Sequence, residues 1–183
     1  MFFNLRVLYA SGGMAAILLL LFTSCNPSGE EEFRETYIFE ATSQSSVIYE
    51  STSRQVGPDS VITVYEFSID TGSNLVFEYG RKVHPPENIT DAGLAETLVF
   101  QIPPDTDTFD ISGNQLEEAR AFYRRGCFCP ESGAGFKATE GFIEGERLSA
   151  NIWFVRADVT ISTYRQDQDH KVQFEHVFRI SPK

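Results

Sequence analysis

From Val61 to Ile69 the chain alternates without a break. Val61, Thr63, Tyr65, Phe67 and Ile69 fall in one phase, and Ile62, Val64, Glu66 and Ser68 in the other. A period of two belongs to a strand, where successive side chains point to opposite faces. The same pattern recurs over most of the chain beyond residue 33, in runs dominated by β-branched and aromatic residues, which a pleated, half-buried surface accepts. Tyr37, Phe39 and Ala41 form one face. Val47 and Tyr49 follow as a separate run after the polar stretch Thr42 to Ser46. Leu75, Phe77 and Tyr79 make a returning strand after the turn residues Asp70-Thr71-Gly72-Ser73. Leu98, Phe100 and Ile102 make another, stopped by Pro103-Pro104. Ala138 to Ile143, then Trp153, Val155, Ala157, Val159 and Ile161, and finally Val172, Phe174, His176, Phe178 and Ile180 complete the set, the last two joined by a turn at Gln166 to His170.

One helix is expected among these strands, over Gln115 to Arg125. Asn114 is placed to cap it, with Glu117 three residues on. Leu116, Ala119, Phe122 and Tyr123 would share a face, Arg124 and Arg125 would sit at the negative end of the dipole, and Gly126 would stop it. One short helix among about eight or nine strands predicts a mainly β fold: an antiparallel β-sandwich or a curled, barrel-like sheet. A chain of 183 residues has room for one such core. Its net charge of −11 leaves nothing to neutralise a run of phosphates, which argues against nucleic acid.

The first residues carry a different signal. Arg6 is the only charged side chain before Glu30, and Met14 to Phe22 is a compact apolar run behind Gly12-Gly13. A positive start followed by an apolar run of this length is the layout of an export signal. Phe22-Thr23-Ser24-Cys25 closes it, and this small-residue step into a cysteine resembles the lipobox of bacterial lipoproteins. The resemblance implies removal of residues 1–24, acylation of Cys25, and an anchor strong enough to hold because it carries more than one chain. Asn26 to Glu32 reads as a polar tether. Its acidic run is similar to the surface-export signal of Bacteroidota lipoproteins, which points to the outer membrane, periplasmic or surface side. The expected organisation is residues 1–24 as signal peptide, 25–33 as lipidated cysteine and tether, and 34–183 as a single β domain. Gly141-Phe142-Ile143-Glu144-Gly145 and Trp153-Phe154-Val155 are also similar to the C-terminal part of small Bacteroidota-type outer-membrane lipoproteins. That likeness implies no activity.

Four constellations could carry chemistry. Phe67 to Phe77, with Asp70-Thr71-Gly72-Ser73 at its centre, resembles the active-site signature of aspartic proteases. The chemistry needs two such loops facing each other so that the carboxylates share a proton. The chain holds one copy, so Asp70 reads first as a hairpin turn and only in a dimer as a peptidase residue. Cys127-Phe128-Cys129 lies in a loop expected from Gly126 to Gly135. In an oxidising compartment these two are a candidate disulfide, with free thiols or a soft-metal site as alternatives. His84, His170 and His176 stand at no metal-ligand spacing from them. Asp105-Thr106-Asp107-Thr108-Phe109-Asp110 clusters three carboxylates, but Asp110 takes the place of the glycine that a calcium loop requires, and a solvated acidic loop is the expectation. Asn88-Ile89-Thr90 and Asp59-Ser60-Val61 fit short glycosylation triplets, which recur by chance. No catalytic set is complete, and no metal or cofactor is expected. The sequence therefore points to a lipid-anchored, non-enzymatic binding or interaction module, with an envelope protein or small ligand as partner. A lipocalin-like carrier of a small hydrophobic ligand is the alternative.

Overall fold

Arg34–Gln55 forms a single strand, β1, of 22 residues. It passes straight through the polar stretch that divides two runs in the sequence. In this computed structural model, which describes residues 32–87, 89, 92–129, 132–163 and 169–182, β1 is the element around which the others are arranged. The expected leader, Cys25, the tether up to Glu31, Asn88 and Thr90 of the glycosylation triplet, and most of the Gln166 to His170 turn lie outside the described residues.

The remaining strands are β2 (Val61–Thr71), β3 (Asn74–His84), β4 (Leu94–Ile102), β5 (Thr108–Ser112), β6 (Phe122–Cys127), β7 (Gly135–Ser149), β8 (Ile152–Ile161) and β9 (His170–Pro182). The first half of β1 pairs with β3 and the second half with β2, both antiparallel. From β3 the ladder runs through β4, β6, β7 and β8 to β9. Glu40 to Ser43 of β1 then pair in parallel with Arg179 to Pro182 of β9, which curls the mixed sheet into a ring. This parallel step is the exception to an otherwise antiparallel set. β5 pairs with Glu146 to Phe142 of β7, beside the short β6–β7 ladder.

Two hydrophobic layers follow from this arrangement. Inward residues of the ring build the larger one: Leu75, Phe77, Leu98, Phe100, Ile143, Trp153, Val155, Ala157, Val159, Ile161 and Phe178 are all buried. Rings fill its centre. Phe77 lies 4.8 Å from Phe100, 5.4 Å from Phe178 and 5.7 Å from Trp153, centroid to centroid. Aromatic pairs at such separations add to the gain from burial alone. The second half of β1 and its partner β2 fold over the outside of β3, β4 and β6. There Val47 and Phe67 meet Val76, Val99 and Phe122, whose side chains point away from the ring interior. β3 is thus buried on both faces over Leu75 to Phe77 and β4 over Leu98 to Phe100, where their apolar runs are continuous.

Three sequence expectations are corrected. The helix, α1, covers only Gln115–Glu118, and Asn114 makes no side-chain cap. Phe122 to Cys127 is instead β6: the outward Phe122 and inward Tyr123 serve opposite faces of a sheet, and Gly126 lies inside the strand. Asp70 to Ser73 is no hairpin turn, because β2 and β3 run in the same direction along β1. It is a corner. Gly72 donates to the Gln44 carbonyl at 3.0 Å, and a Cβ at Gly72 would collide with Ser46. Part of the acidic loop is also a strand, since Thr108 to Asp110 belong to β5 and Phe109 turns its ring onto Phe77 and Trp153.

Gly141 sits at the bulge in the β7–β8 ladder with φ of +99°. A Cβ there would collide with the Asp158 carbonyl. Gly113 also has positive φ, +55°, with open space around it. Gly141→Ala is expected to lower unfolding free energy by more than about 2 kcal/mol, and Gly113→Ala by about 1 kcal/mol. Urea denaturation of the two variants checks the ordering, and equal effects would contradict the bulge geometry.

Candidate functional site at the mouth of the ring

One end of the ring is defined by a row of register partners. Arg34 faces His84, Val83 faces Leu94, Leu94 faces Cys127, and Ile161 faces His170. At this mouth the inward phase turns from apolar to charged. Glu96 lies two residues before Leu98 on β4, and Arg81 two residues after Tyr79 on β3. They are direct cross-strand partners.

Glu96 is buried, 4 % exposed, and three side chains converge on its carboxylate. Arg81 Nη1 approaches Oε2 at 3.1 Å. Tyr123 donates its hydroxyl to Oε1 at 2.7 Å, and His170 Nε2 lies 2.8 Å from the same oxygen. Arg81 also reaches Glu35 on β1, Nη2 to Oε1, at 2.6 Å, and Tyr37 donates to Glu35 in turn. Four strands and the start of β9 are tied together by one carboxylate–guanidinium network. Burial alone would raise the Glu96 pKa. Hydrogen bonds from His170 and Tyr123, together with the nearby charges, outweigh it and hold the carboxyl at about 2. Tyr79 is pushed up to about 12, by burial first and by the Glu96 charge second. The Tyr123 hydroxyl is raised by burial first and by its hydrogen bond to Glu96 second. A carboxylate held that low is a poor proton acceptor near neutral pH. The arrangement is suited to clamping the strand ends.

Beside the network lies an aromatic rim. Phe39 stacks on His176 with centroids 3.8 Å apart, and Tyr79 stacks on Phe174 at 4.7 Å. His176 shares the phase of the core residues yet is exposed, so it covers the side of the ring where β1 and β9 meet. The β6–β7 loop closes another side. Cys127 and Cys129 are joined by a disulfide with Cα atoms 5.2 Å apart. The Ser132 N–H donates to the Cys129 carbonyl at 3.0 Å, and the Gly133 N–H to the Arg125 carbonyl at 2.8 Å. Phe128, held between the two half-cystines, is 84 % exposed.

The acidic sequence candidates lie apart from this end. Asp70 is at the β2–β3 corner, where its Oδ1 accepts from the Thr71 N–H at 2.6 Å. Asp107 pairs with Arg147 at 3.5 Å, and Asp110 stands across from Glu144 in the β5–β7 ladder. His84 meets Thr36 Oγ1 at 3.1 Å on the outer face. Among the described residues no group of three or more His, Cys, Asp or Glu side chains is placed to hold a metal. Two of the half-open grooves on the described surface bear on where a site could lie. One, of about 400 Å³, lies between the end of β4 and β5–α1, lined by Gln101, Pro103, Thr106, Phe109 and Gln115 among others. The second, of about 570 Å³, runs along the folded hairpin between Ile48, Tyr49 and Phe67 and the β6–β7 segment at Arg124 and Gly133.

Comparison of the chain with family models, with curated proteins and with solved structures returns no match.

Glu35, Arg81, Glu96 and Tyr123 were not among the sequence candidates. Their signal was nonetheless present: Glu96 is in phase with Leu98, Phe100 and Ile102, and Arg81 with Leu75, Phe77 and Tyr79. Opposite charges continuing the inward phase of two successive strands mark a buried pair.

The folded Glu96 pKa lies below its ordinary value of 4.5. Its contribution to stability is therefore present above that value and is lost as pH falls toward 2. Glu96→Gln is expected to cost about 2–3 kcal/mol at neutral pH and to flatten the acid limb of the stability curve. Urea unfolding from pH 7 down to the acid transition tests this. Parallel curves for variant and parent would contradict the network.

Proposed function

We propose that the protein is a lipid-anchored cell-envelope protein, held at the outer membrane through Cys25, whose β domain is a non-enzymatic binding or interaction module. The leader ending in Thr23-Ser24-Cys25 supports the anchor. The observation that carries the second part is where the apolar rings sit. Phe77, Phe100, Phe109, Trp153 and Phe178 occupy the ring interior with one another. Carrier barrels keep such a space for a ligand. Ile48 and Tyr49, by contrast, are 45 % and 43 % exposed along the outer groove of the folded hairpin. Exposed apolar and aromatic side chains lining a groove beside charged Glu50, Glu66 and Arg124 have the composition of a protein-binding surface. A surface binder fits these features better than a carrier of a small hydrophobic ligand.

Cys25→Ala is expected to abolish incorporation of a fatty-acid probe and to move the protein from the membrane to the soluble fraction. Unchanged labelling would overturn the anchor. In the anchored protein, a photo-crosslinking residue at Ile48 should trap a discrete partner in intact cells, and Tyr49→Ala should reduce that product at least fivefold. Absence of any product at Ile48 would remove the groove as the binding face.

A further inference from the structure

The mouth presents apolar side chains that the network beneath it does not use. Phe128 is 84 % exposed, Phe33 47 % and Ile89 41 %. They stand on three separate segments: the start of the chain into β1, the β3–β4 loop and the β6–β7 loop. Those segments leave the same end of the sheet, because Arg34, His84, Leu94 and Cys127 lie in one register row across β1, β3, β4 and β6. Neighbouring strands are spaced by about 4.8 Å, so the row spans about 14 Å. The tips are also held in place. The Ile89 N–H donates to the Pro86 carbonyl at 3.0 Å, and Phe128 is fixed between two bonded cysteines whose loop returns through the Ser132 and Gly133 hydrogen bonds. Large apolar side chains held outward on the tips of adjacent loops lose area to water that nothing in the domain recovers.

The direction of the chain says what covers them. Cys25 precedes Phe33 by eight residues, and eight residues span at most roughly 28 Å even when fully extended. A lipid on Cys25 therefore tethers the domain by this end, and no other end of the ring is nearer to the bilayer along the chain. We infer that the mouth of the ring is a membrane-docking surface, with Phe33, Ile89 and Phe128 entering the interfacial layer of a lipid bilayer. The docked orientation rests on the proposed acylation of Cys25 for its proximity and on the three side chains for its contact. It leaves the groove at Ile48 and Tyr49 on the side of the domain, open to a partner.

The experiment uses the full mature protein bearing Phe128→Trp, reconstituted with vesicles of phosphatidylethanolamine and phosphatidylglycerol. Leu148→Trp serves as the control, because Leu148 is 54 % exposed and lies beside the β7–β8 turn at the opposite end. The parent protein, whose single tryptophan Trp153 is buried, sets the background. Emission of the Phe128→Trp variant should shift to the blue on vesicle addition. Its added indole should be quenched at least twofold more by lipids spin-labelled near the headgroup than by aqueous acrylamide, and the indole of the Leu148→Trp control should show the reverse. Equal access of acrylamide to the added indole in the two variants would overturn the inference. Mass spectrometry of the same sample reads acylation at Cys25 separately. Acylated protein with a water-exposed indole in the Phe128→Trp variant sinks the docking surface and leaves the anchor standing. Unacylated protein with a lipid-quenched indole does the opposite, and unacylated protein with a water-exposed indole sinks both.

Discussion

The bend in β1 between Thr42 and Ser45 is the constraint from which the rest of the fold follows. Before it, β1 is a wall of the ring; after it, the same strand lies outside the ring as half of a second layer. Gln44 takes up a φ of +53° there, uncommon for a residue with a side chain. Several contacts hold it. Ser45 is fully buried, and its hydroxyl donates to the Ser43 carbonyl at 3.1 Å. Gly72 bonds to the Gln44 carbonyl from the facing corner. Just past the bend, the Val47 N–H donates to Gln101 Oε1 at 2.8 Å, and Arg120 donates to the Val47 carbonyl. Backbone groups at the bend thus find partners in side chains and in the facing Gly72 N–H, as buried groups must. Bulges of this kind raise local twist and let one strand serve two sheets.

With β1 bent, the interior can close. Parallel pairing with β9 begins just before the bend, at Glu40, and brings Phe178 onto Phe39 and Phe77. The ring is then packed by side chains along its length, from the aromatic cluster at Trp153 to the Glu96 network at the mouth. At the mouth the Glu96 and Glu35 carboxylates are both paired with Arg81. A packed interior also moves any recognition to the outside, where the folded hairpin and the loop tips carry the unpartnered apolar surface. Fold and proposed function are linked at this point: the bend that completes the core also creates the groove at Ile48 and Tyr49.

Strand content was legible in the sequence because alternation is a local signal. Trp153 to Ile161 read as one face, and all five of its alternate residues are buried. What the sequence misplaced depended on partners far away in the chain. Phe122 and Tyr123 look helical beside Leu116 and Ala119, but each satisfies a different layer, and tertiary packing outweighs a weak helical preference. The polar run Thr42 to Ser46 interrupts the alternation, and the partners that keep it in the strand, Gly72 and Asn74, are remote in the chain. Asp70-Thr71-Gly72-Ser73 has turn chemistry, and only the pairing of β2 and β3 along a common neighbour reveals a corner. The mouth network went unread for a different reason: Arg81 and Glu96 are each ordinary alone, and become a pair only once the β3–β4 register aligns them.

The central claim is that the ring is filled by its own side chains and that binding takes place outside it. Trp153 is the one tryptophan in the chain and is fully buried against the aromatic cluster of that interior, so its fluorescence reads the claim directly. The account predicts blue-shifted emission, little quenching by acrylamide, and no change or energy transfer when apolar fluorescent ligands are titrated in. Emission like that of tryptophan in water, or saturable energy transfer from Trp153 to a bound apolar ligand, would show an interior that admits guests and would contradict it.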